Sequence, residues 1–309
     1  MFFWKGRALY SLGNIAEAID AFGYAIHYSP QDALYYHWRG RANYANEHFA
    51  NAVADFSRGI ELQPETSHYY TWRGMVYRTL GDYETAVADF GEAVNRDPND
   101  GDNYYLRAQT YRSLGELQSA LSDLSHAISL QPNDAASYNL RGIVHRHLGY
   151  HQEAIDDYEH ALKINPDEAN YHIGKGLSYV SMGQNEQALA EFNQAIELAQ
   201  DETKKVDYYI ELAQSQSSMG KYGAARTNAR KAASLKPGYG LPYLMIGDMI
   251  AGSSSCGGED ACKQKAIYWL AVDYFNKAKS VDPSVTGKAN GKIATYKKYF
   301  PTKEDCCFG

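Results

Sequence analysis

The sequence predicts an all-α protein, an α-solenoid of about eight helix hairpins followed by a C-terminal capping helix. Three features of the 309-residue chain predict it: prolines that recur every 34 residues, small residues that keep this period, and large apolar residues that keep it too. The prolines are Pro30, Pro64, Pro98, Pro132 and Pro166. The small residues are Gly6, Gly40, Gly74, Ala108, Gly142 and Gly176, and the large ones are Phe22, Phe56, Phe90, Leu124, Tyr158 and Phe192. Such a period indicates one structural unit stacked on copies of itself.

One repeat, residues 69–98, shows why each unit is a helix hairpin. Its sequence is YYTWRGMVYRTLGDYETAVADFGEAVNRDP. On both sides of Leu80-Gly81, apolar and small residues fall at i, i+4 and i+7, which is the spacing of one helix face. These residues are Tyr70, Gly74 and Tyr77 before the split and Ala86, Phe90 and Ala93 after it. Gly81 suits the left-handed residue that ends a helix, and Pro98 ends the second helix.

We predict that the repeats form one continuous solenoid. Six regular repeats occupy residues 1–199, and two irregular repeats occupy residues 200–284. The seventh repeat ends at Pro237, three residues late for the period, and the eighth carries a Cys- and Gly-rich loop insertion of twelve residues at 252–263. Residues 285–309 are predicted to form a capping helix and tail. In the second repeat, Asn46-Glu47 replaces the usual Leu-Gly turn.

This pattern resembles the tetratricopeptide repeat family, whose units are helix pairs of the same length with small residues where the two helices cross. The match covers nearly the whole chain. The resemblance implies a right-handed solenoid in which the first helices of the repeats line a concave groove. It also implies a non-catalytic scaffold that binds another protein or peptide.

A basic residue precedes the small residue of each regular first helix, and from the second repeat onward an acidic residue follows it sixteen positions later. In an antiparallel hairpin that turns midway, residues so spaced lie opposite each other. The predicted structural ion pairs are Arg39–Asp55, Arg73–Asp89, Arg107–Asp123, Arg141–Asp157 and Lys175–Glu191. Base and acid disappear together in the irregular repeats, which have Leu212 with Asn228 and Ile246 with Tyr274. We interpret this ion-pair ladder as semi-buried and structural, with the acid of the preceding repeat as an alternative partner.

The family resemblance places a partner-binding groove on the first helices. By register, its candidate residues are Arg7, His37, Arg41, Tyr44, Arg78, Tyr105, Arg112, Asn139 and Arg146. Five of them are arginines in an otherwise acidic chain, which favours an acidic or carboxylate-bearing segment as the partner. Solvated arginines on an exposed helix face are the alternative interpretation. Chaperone-tail binding does not fit, because Arg7 and Arg41 stand where the carboxylate clamp of such receptors has asparagines.

Composition and motifs argue against several other functions. The formal net charge of −7 disfavours nucleic acid as a partner, and no apolar run approaches the roughly 18 residues of a transmembrane helix. No nucleophile motif, phosphate-binding glycine loop or pair of catalytic carboxylates occurs, so we expect neither an enzyme nor a cofactor. Gly149 separates His147 from His151, so no metal site is expected. Most of the 27 tyrosines fall on helix-packing positions, which makes glycan binding a weaker alternative.

All four cysteines lie near the C-terminus, at Cys256, Cys262, Cys306 and Cys307. Their clustering favours a disulfide, with free thiols and a zinc site as alternatives. The stretch from CGG to IATYKKYFPTKED resembles the ends of envelope-associated tetratricopeptide proteins of the Bacteroidetes. That resemblance implies a periplasmic or cell-envelope location, with the cytoplasm as the alternative. The second functional hypothesis is therefore a structural subunit of an envelope assembly, docking through its ends, its convex face or the 252–263 loop.

Overall fold

The computed structural model describes residues 1–253 and 261–300, and for residues 261–264 the backbone only. This part of the chain contains seventeen α-helices and no β-strand. It divides into two compact units, unit 1 (Met1–Ile164) and unit 2 (Asn165–Gly309). Within each unit, consecutive helices pack as antiparallel hairpins that stack in chain order. The prediction of an all-α fold of stacked hairpins is confirmed.

Unit 1 contains five hairpins, each with a first and a second helix of similar length. Its helices are α1 (Phe2–Ser11), α2 (Ile15–Tyr28), α3 (Ala33–Ala45), α4 (Phe49–Leu62), α5 (Ser67–Leu80), α6 (Tyr83–Arg96), α7 (Gly101–Leu114), α8 (Leu117–Leu130), α9 (Ala135–His147) and α10 (His151–Ile164). The side-chain carboxylates of Asp32, Asp100 and Asp134 accept backbone N–H bonds at the starts of α3, α7 and α9. These loop acids therefore begin helices.

The period of small residues reflects close packing between the two helices of each hairpin. A Cβ atom added at Gly40 would come within 2.8 Å of the Phe56 ring, and one at Gly74 within 3.0 Å of Phe90. The same relation joins Gly142 to Tyr158. Each large ring is fully buried against the first helix, so the small residue and the ring sixteen positions later form one packing unit.

The turn inside each hairpin of unit 1 contains one residue in the left-handed region of φ. Glycine occupies it in four hairpins, for example Gly81 at φ 81°, because a residue without a Cβ adopts this conformation without strain. In the second hairpin Glu47 takes it, at φ 59°. The replacement of Leu-Gly by Asn46-Glu47 therefore keeps the turn and adds backbone strain of about 1 kcal/mol.

Unit 2 contains three hairpins and a final helix. Its helices are α11 (Ala169–Ser181), α12 (Asn185–Leu198), α13 (Glu202–Ser218), α14 (Tyr222–Leu235), α15 (Leu241–Gly252), α16 (Ala261–Val281) and α17 (Thr286–Tyr296), with 3-10 turns at Pro283–Val285 and Lys297–Tyr299. The helix α13 has 17 residues, whereas α11 has 13. This longer first helix accommodates the insertion in the seventh repeat.

The last helix, α17, covers the end of the unit 2 core. Its Ala289 and Ile293 are buried in the apolar cluster that also contains Phe275 of α16. The Tyr296 ring stacks on Phe275 with 5.8 Å between the ring centroids. The predicted disulfide candidates Cys256, Cys306 and Cys307 and the side chain of Cys262 lie outside the described residues.

Candidate functional site

The residues of the ion-pair ladder face each other inside their own hairpins. Arg39 Nε donates to both oxygens of Asp55 at 3.0 and 3.1 Å, and Arg39 Nη2 donates to Oδ1 at 2.6 Å. The pairs Arg73–Asp89, Arg107–Asp123 and Arg141–Asp157 each have a shortest distance of 2.7 Å. In unit 2, Lys175 Nζ lies 2.9 Å from Glu191 Oε1. Each base thus contacts the acid of its own repeat.

Burial makes these pairs sensitive to the loss of either member. The side chain of Asp55 is 4% exposed and that of Arg39 is 29% exposed. Burial raises the pKa of Asp55, while hydrogen bonds from Arg39 and Asn43 act against that rise. The hydrogen bond to Asp89 raises the pKa of the Arg73 guanidinium. Removing one partner would leave a charge in a site that excludes most water.

Two of the ladder arginines also reach the preceding repeat. Arg73 Nη1 donates to Ser57 Oγ at 3.0 Å, and Arg141 Nη1 donates to Ser125 Oγ at 3.4 Å. A single guanidinium therefore joins three helices: its own first helix, the second helix of its hairpin, and the second helix before it. The ladder arginines also lie over tyrosine rings three residues earlier, such as Arg39 over Tyr36 at 5.7 Å.

The structure adds polar residues to the ladder that the sequence pattern did not indicate. Asn43 donates to Asp55 Oδ2 at 2.9 Å, and His145 Nδ1 lies 2.9 Å from Asp157 Oδ2. His172 Nδ1 lies 2.6 Å from Glu191 Oε2. Burial alone would raise the pKa of Glu191, but the hydrogen bonds from His172 and Lys175 lower it below its ordinary value. Asn43 and His145 each lie twelve residues before the acid that they contact. This spacing is the sequence signal that could have identified them.

On the first helices of unit 1, tryptophans and arginines alternate in one continuous stack. The Arg7 guanidinium lies 5.3 Å from the ring centroid of Trp4 and 4.6 Å from that of Trp38. The Arg41 guanidinium lies 4.4 Å from Trp38 and 4.8 Å from Trp72. The three tryptophans keep the 34-residue period, which was the overlooked signal in the sequence. This stack links α1, α3 and α5 along one face.

The other three groove arginines continue this face across α5, α7 and α9. Arg78 Nη1 donates to Gln109 Oε1 of α7. Burial lowers the pKa of His147 on α9, and the charges of Arg146 and Arg112 lower it further. We call Arg7, Arg41, Arg78, Arg112 and Arg146 the arginine strip. Within residues 1–253 and 261–300, none of the five has a carboxylate within ion-pair distance, and all are partly exposed.

The remaining groove candidates differ in their access to solvent. Tyr44, Tyr105 and Asn139 are half-buried beside the strip, and the Tyr44 hydroxyl lies 3.0 Å from Thr79 Oγ1. His37 lies beneath the strip and is only 8% exposed, among the rings of Trp38, Phe56, His68, Tyr69 and Trp72. Burial lowers the pKa of His37 to about 3, helped by His68 and Arg41. A neutral, enclosed His37 is part of the core and has no surface to offer a partner.

Two of the tyrosines that lie three residues before a ladder arginine, Tyr70 and Tyr104, offer little ring surface to a sugar. Tyr70 is 6% exposed and Tyr104 is 9% exposed. The Tyr104 and His126 ring centroids are 4.5 Å apart, and Arg96 lies 4.1 Å from the Tyr70 centroid. Among the described residues, no cluster of three or more His, Cys, Asp and Glu side chains could hold a metal ion, and no helix could cross a membrane.

Comparison with protein families gave matches over most of the chain. Models described as tetratricopeptide repeat match residues 3–58 and 39–102, residues 101–134, 169–202 and 206–239, and residues 135–168. A search of curated protein sequences found no match.

Solved structures with the same fold include two from the Bacteroidetes. The C-terminal part of a repeat protein from Cytophaga hutchinsonii is 16% identical with a TM-score of 0.63, covering 76% of this chain and 95% of that one. A tetratricopeptide repeat protein from Parabacteroides merdae is 16% identical with a TM-score of 0.59, covering 79% and 96%. YrrB, a TPR protein with an unusual peptide-binding site, is 24% identical with a TM-score of 0.52, covering 59% and 94%. These similarities concern the fold.

Proposed function

The chain belongs to the tetratricopeptide repeat family, and from that membership we propose that unit 1 binds an acidic protein segment along the arginine strip. The family fold implies a scaffold for protein–protein interaction, and its members are generally non-catalytic. The observation that carries the finer proposal is that five arginines share one face without a carboxylate partner among the described residues. The predicted envelope setting stays a separate prediction.

The two sets of arginines in unit 1 differ in how their charge is satisfied. In the ladder, Arg39, Arg73, Arg107 and Arg141 each bind a buried aspartate. In the strip, the Nε atoms of Arg41 and Arg146 are buried and have no acceptor. Both side chains are partly exposed, and their Nη atoms are not among the buried, unpartnered atoms. An incoming carboxylate would accept charge-assisted hydrogen bonds from the Nη groups of these arginines.

The tryptophan stack holds part of the strip ready for binding. Rings lie over the Arg7 and Arg41 guanidinium groups. Both side chains stay partly exposed, so N–H groups other than the buried Arg41 Nε can donate. A guanidinium held in this way loses little side-chain entropy when it forms the two parallel bonds of a carboxylate pair. Lysine could supply the charge at these positions but not the planar donor pair.

The residues beside the strip suit the polar backbone of such a segment. Burial raises the pKa of Tyr105, against a hydrogen bond from Gln109 and the nearby charges of Arg112 and Arg78 that lower it. The phenol is therefore protonated at neutral pH and can donate to a peptide carbonyl. Asn139 offers both an amide donor and an acceptor. We expect an extended or helical segment with several carboxylates, in which the side chains contact arginines and the backbone contacts these groups.

The test uses fluorescein-labelled synthetic peptides of twelve residues, rich in glutamate, in lysine or in glutamine, titrated against the full chain. Fluorescence anisotropy should show binding of the glutamate peptide that weakens as salt rises from 50 to 300 mM. The variant Arg41→Glu, Arg78→Glu, Arg112→Glu should bind it at least tenfold more weakly, a loss of about 1.4 kcal/mol.

A matched control reverses three bases away from the strip: Lys5→Glu, Arg58→Glu and Lys163→Glu. Lys5 and Lys163 are exposed, and the Arg58 side chain is 38% exposed and pairs with Glu61. This control changes net charge by the same amount and should keep most of the affinity. Replacement of Arg41 by lysine should weaken binding although the charge is kept. Equal binding of the glutamate and glutamine peptides, or equal loss in both triple variants, would refute the groove proposal.

A further inference from the structure

Unit 2 exposes three large side chains close together near its C-terminal end. Trp269 is 46% exposed, Leu270 is 50% exposed, and Tyr299 is 53% exposed. Ring contacts hold α16 against the 3-10 turn: Tyr268 lies 5.4 Å from Tyr299, and Trp269 lies 6.0 Å from Phe300. The apolar groups therefore share one corner of the unit rather than being scattered over its surface.

The other repeats show that this corner is unusual. The position of Trp269 is held in the seven preceding repeats by Ala16, Ala50, Glu84, Gln118, Gln152, Glu186 and Gly223. The position of Leu270 is held by Glu17, Asn51, Thr85, Ser119, Glu153, Gln187 and Ala224. These sites are small or polar wherever the second helix simply faces solvent. Trp269 packs on Phe300 with part of its ring, but about half of Trp269 and of Leu270 stays exposed, which points to something that covers them.

Charge is distributed unevenly along the chain. Residues 204–300 contain 15 Lys and Arg against 7 Asp and Glu, a surplus of eight positive charges. Residues 1–203 contain 14 basic against 28 acidic residues, a surplus of fourteen negative charges. Between residues 283 and 300 there are four lysines and no acid. Lys297 and Lys298 are exposed beside Tyr299, with no carboxylate partner among the described residues.

We propose that this corner, the interfacial patch of Trp269, Leu270, Lys297, Lys298 and Tyr299, docks unit 2 onto the surface of an anionic lipid bilayer. Tryptophan and tyrosine favour the headgroup level of a membrane, where one part of the ring is apolar and the other is hydrated. Leu270 enters the acyl boundary beside Trp269, and the lysines reach the negative headgroups. The protein lies on the bilayer and does not span it.

The basic residues of the two units differ in a way that favours lipid as the occupant of the patch. The strip in unit 1 uses arginine, whose planar donors match individual carboxylates. Between residues 261 and 300 all eight basic residues are lysine, a flexible point charge without that geometric preference. A field of mobile lipid headgroups offers diffuse negative charge, which needs no fixed donor pair. The patch uses no residue of the strip, so this inference does not depend on the proposed peptide binding.

The experiment measures sedimentation of the full chain with vesicles of phosphatidylcholine alone or with 30% phosphatidylglycerol. We expect binding to the anionic vesicles that weakens with salt, together with a blue shift of tryptophan emission and quenching by brominated lipids. The variant Trp269→Gln, Leu270→Ser carries the residues that repeat four has at these sites, Gln118 and Ser119, so the helix is expected to form. It should lose both the spectral change and at least tenfold in partitioning, equivalent to about 1.4 kcal/mol.

Charge and location are tested separately. Lys297→Glu, Lys298→Glu should abolish the preference for anionic vesicles, whereas Lys5→Glu, Lys163→Glu in unit 1 should retain it. Leu12→Asn, an exposed change to the residue that repeat two has there, controls for loss of apolar surface in general. Absence of anionic-vesicle binding would overturn the proposal, as would binding unaffected by the patch variants. Salt-sensitive self-association, lost in the patch variant without any lipid binding, would overturn it in favour of a second copy.

Discussion

In both units a cation lies over the tyrosine that comes three residues before the ladder position. The helix that supplies this cation differs between the units. In unit 1 the cation includes an arginine of the same first helix, such as Arg107 at 5.6 Å from the Tyr104 centroid. In the irregular hairpins of unit 2 it is a lysine of the second helix: Lys231 lies 5.2 Å from Tyr209 and Lys277 lies 4.8 Å from Tyr243. The cation–ring contact persists where the ion pair does not.

The position of the ion pair is also filled differently in the seventh repeat. Asn228 Nδ2 donates to Gln216 Oε1 at 2.9 Å, in the places that Asp55 and Asn43 hold in the second repeat. A neutral amide pair thus meets the same geometric need without a buried charge. The buried polar position between the two helices can therefore hold either an ion pair or a neutral amide pair. An ion pair that has lost one member is the costly state, because the remaining charge is buried without a partner.

The largest effect should come from breaking the ladder on one side only. Asp55→Ala leaves the Arg39 charge and the Asn43 amide without their acceptor, so we expect a loss of about 3 kcal/mol in the free energy of unfolding. The double variant Arg39→Leu, Asp55→Asn reproduces the Leu212 and Asn228 of repeat seven. It should lie within about 1 kcal/mol of the parent, since no buried charge remains.

Urea unfolding followed by circular dichroism measures both variants. A double variant as unstable as Asp55→Ala would contradict the comparison between the units. In that case a neutral amide side chain, as in unit 2, could not replace the ion pair of unit 1.

The next effect concerns acid sensitivity, which His37 confers on unit 1 and which Ile173 at the same register position cannot confer on unit 2. The folded pKa of His37 is about 3, below the ordinary 6.5. Between these values the unfolded chain binds a proton that the folded chain does not, so stability falls as pH decreases below 6.5.

The variant His37→Ile should remove a slope of on the order of 1 kcal/mol per pH unit between pH 6 and 4. The test is to measure the free energy of unfolding of parent and variant at pH 7, 6, 5 and 4. A constant difference between parent and variant at all four values would show that His37 is not the group responsible. His68, which faces His37 at 5.6 Å between centroids, stays unchanged in both proteins.

The smallest effect tests the cation of unit 2. Lys231→Met keeps an unbranched side chain over Tyr209 and removes the charge, so we expect a loss of about 0.5–1 kcal/mol in unfolding free energy. Lys163→Met, at an exposed position with no ring contact among the described residues, should change stability by less. If the two substitutions have the same effect, the lysine–tyrosine contacts of unit 2 do not replace the arginine–tyrosine contacts of unit 1.

Much of the fold followed from periodic constraints that act along one chain. Gly40 and Phe56 had to recur together, because the ring fills the space that a missing Cβ leaves. The base and acid of the ladder varied together for a similar reason, since a buried charge without its partner is costly. The step from this periodic pattern to a binding function is less direct. His37 occupies a groove register, yet the rings around it enclose it, and no spacing rule reveals how large those neighbours are in three dimensions.

The repeat length, the all-α class and the pairing within hairpins can be read from the amino-acid sequence, because each depends on residues at fixed separations along the chain. Which arginines have no carboxylate partner becomes visible in the folded chain, because it depends on neighbours from other helices. The Trp4–Arg7–Trp38–Arg41–Trp72 stack forms when three first helices pack side by side. The exposure of Trp269 is likewise a property of the folded surface, since an apolar side chain in the sequence is as compatible with a core as with an interface.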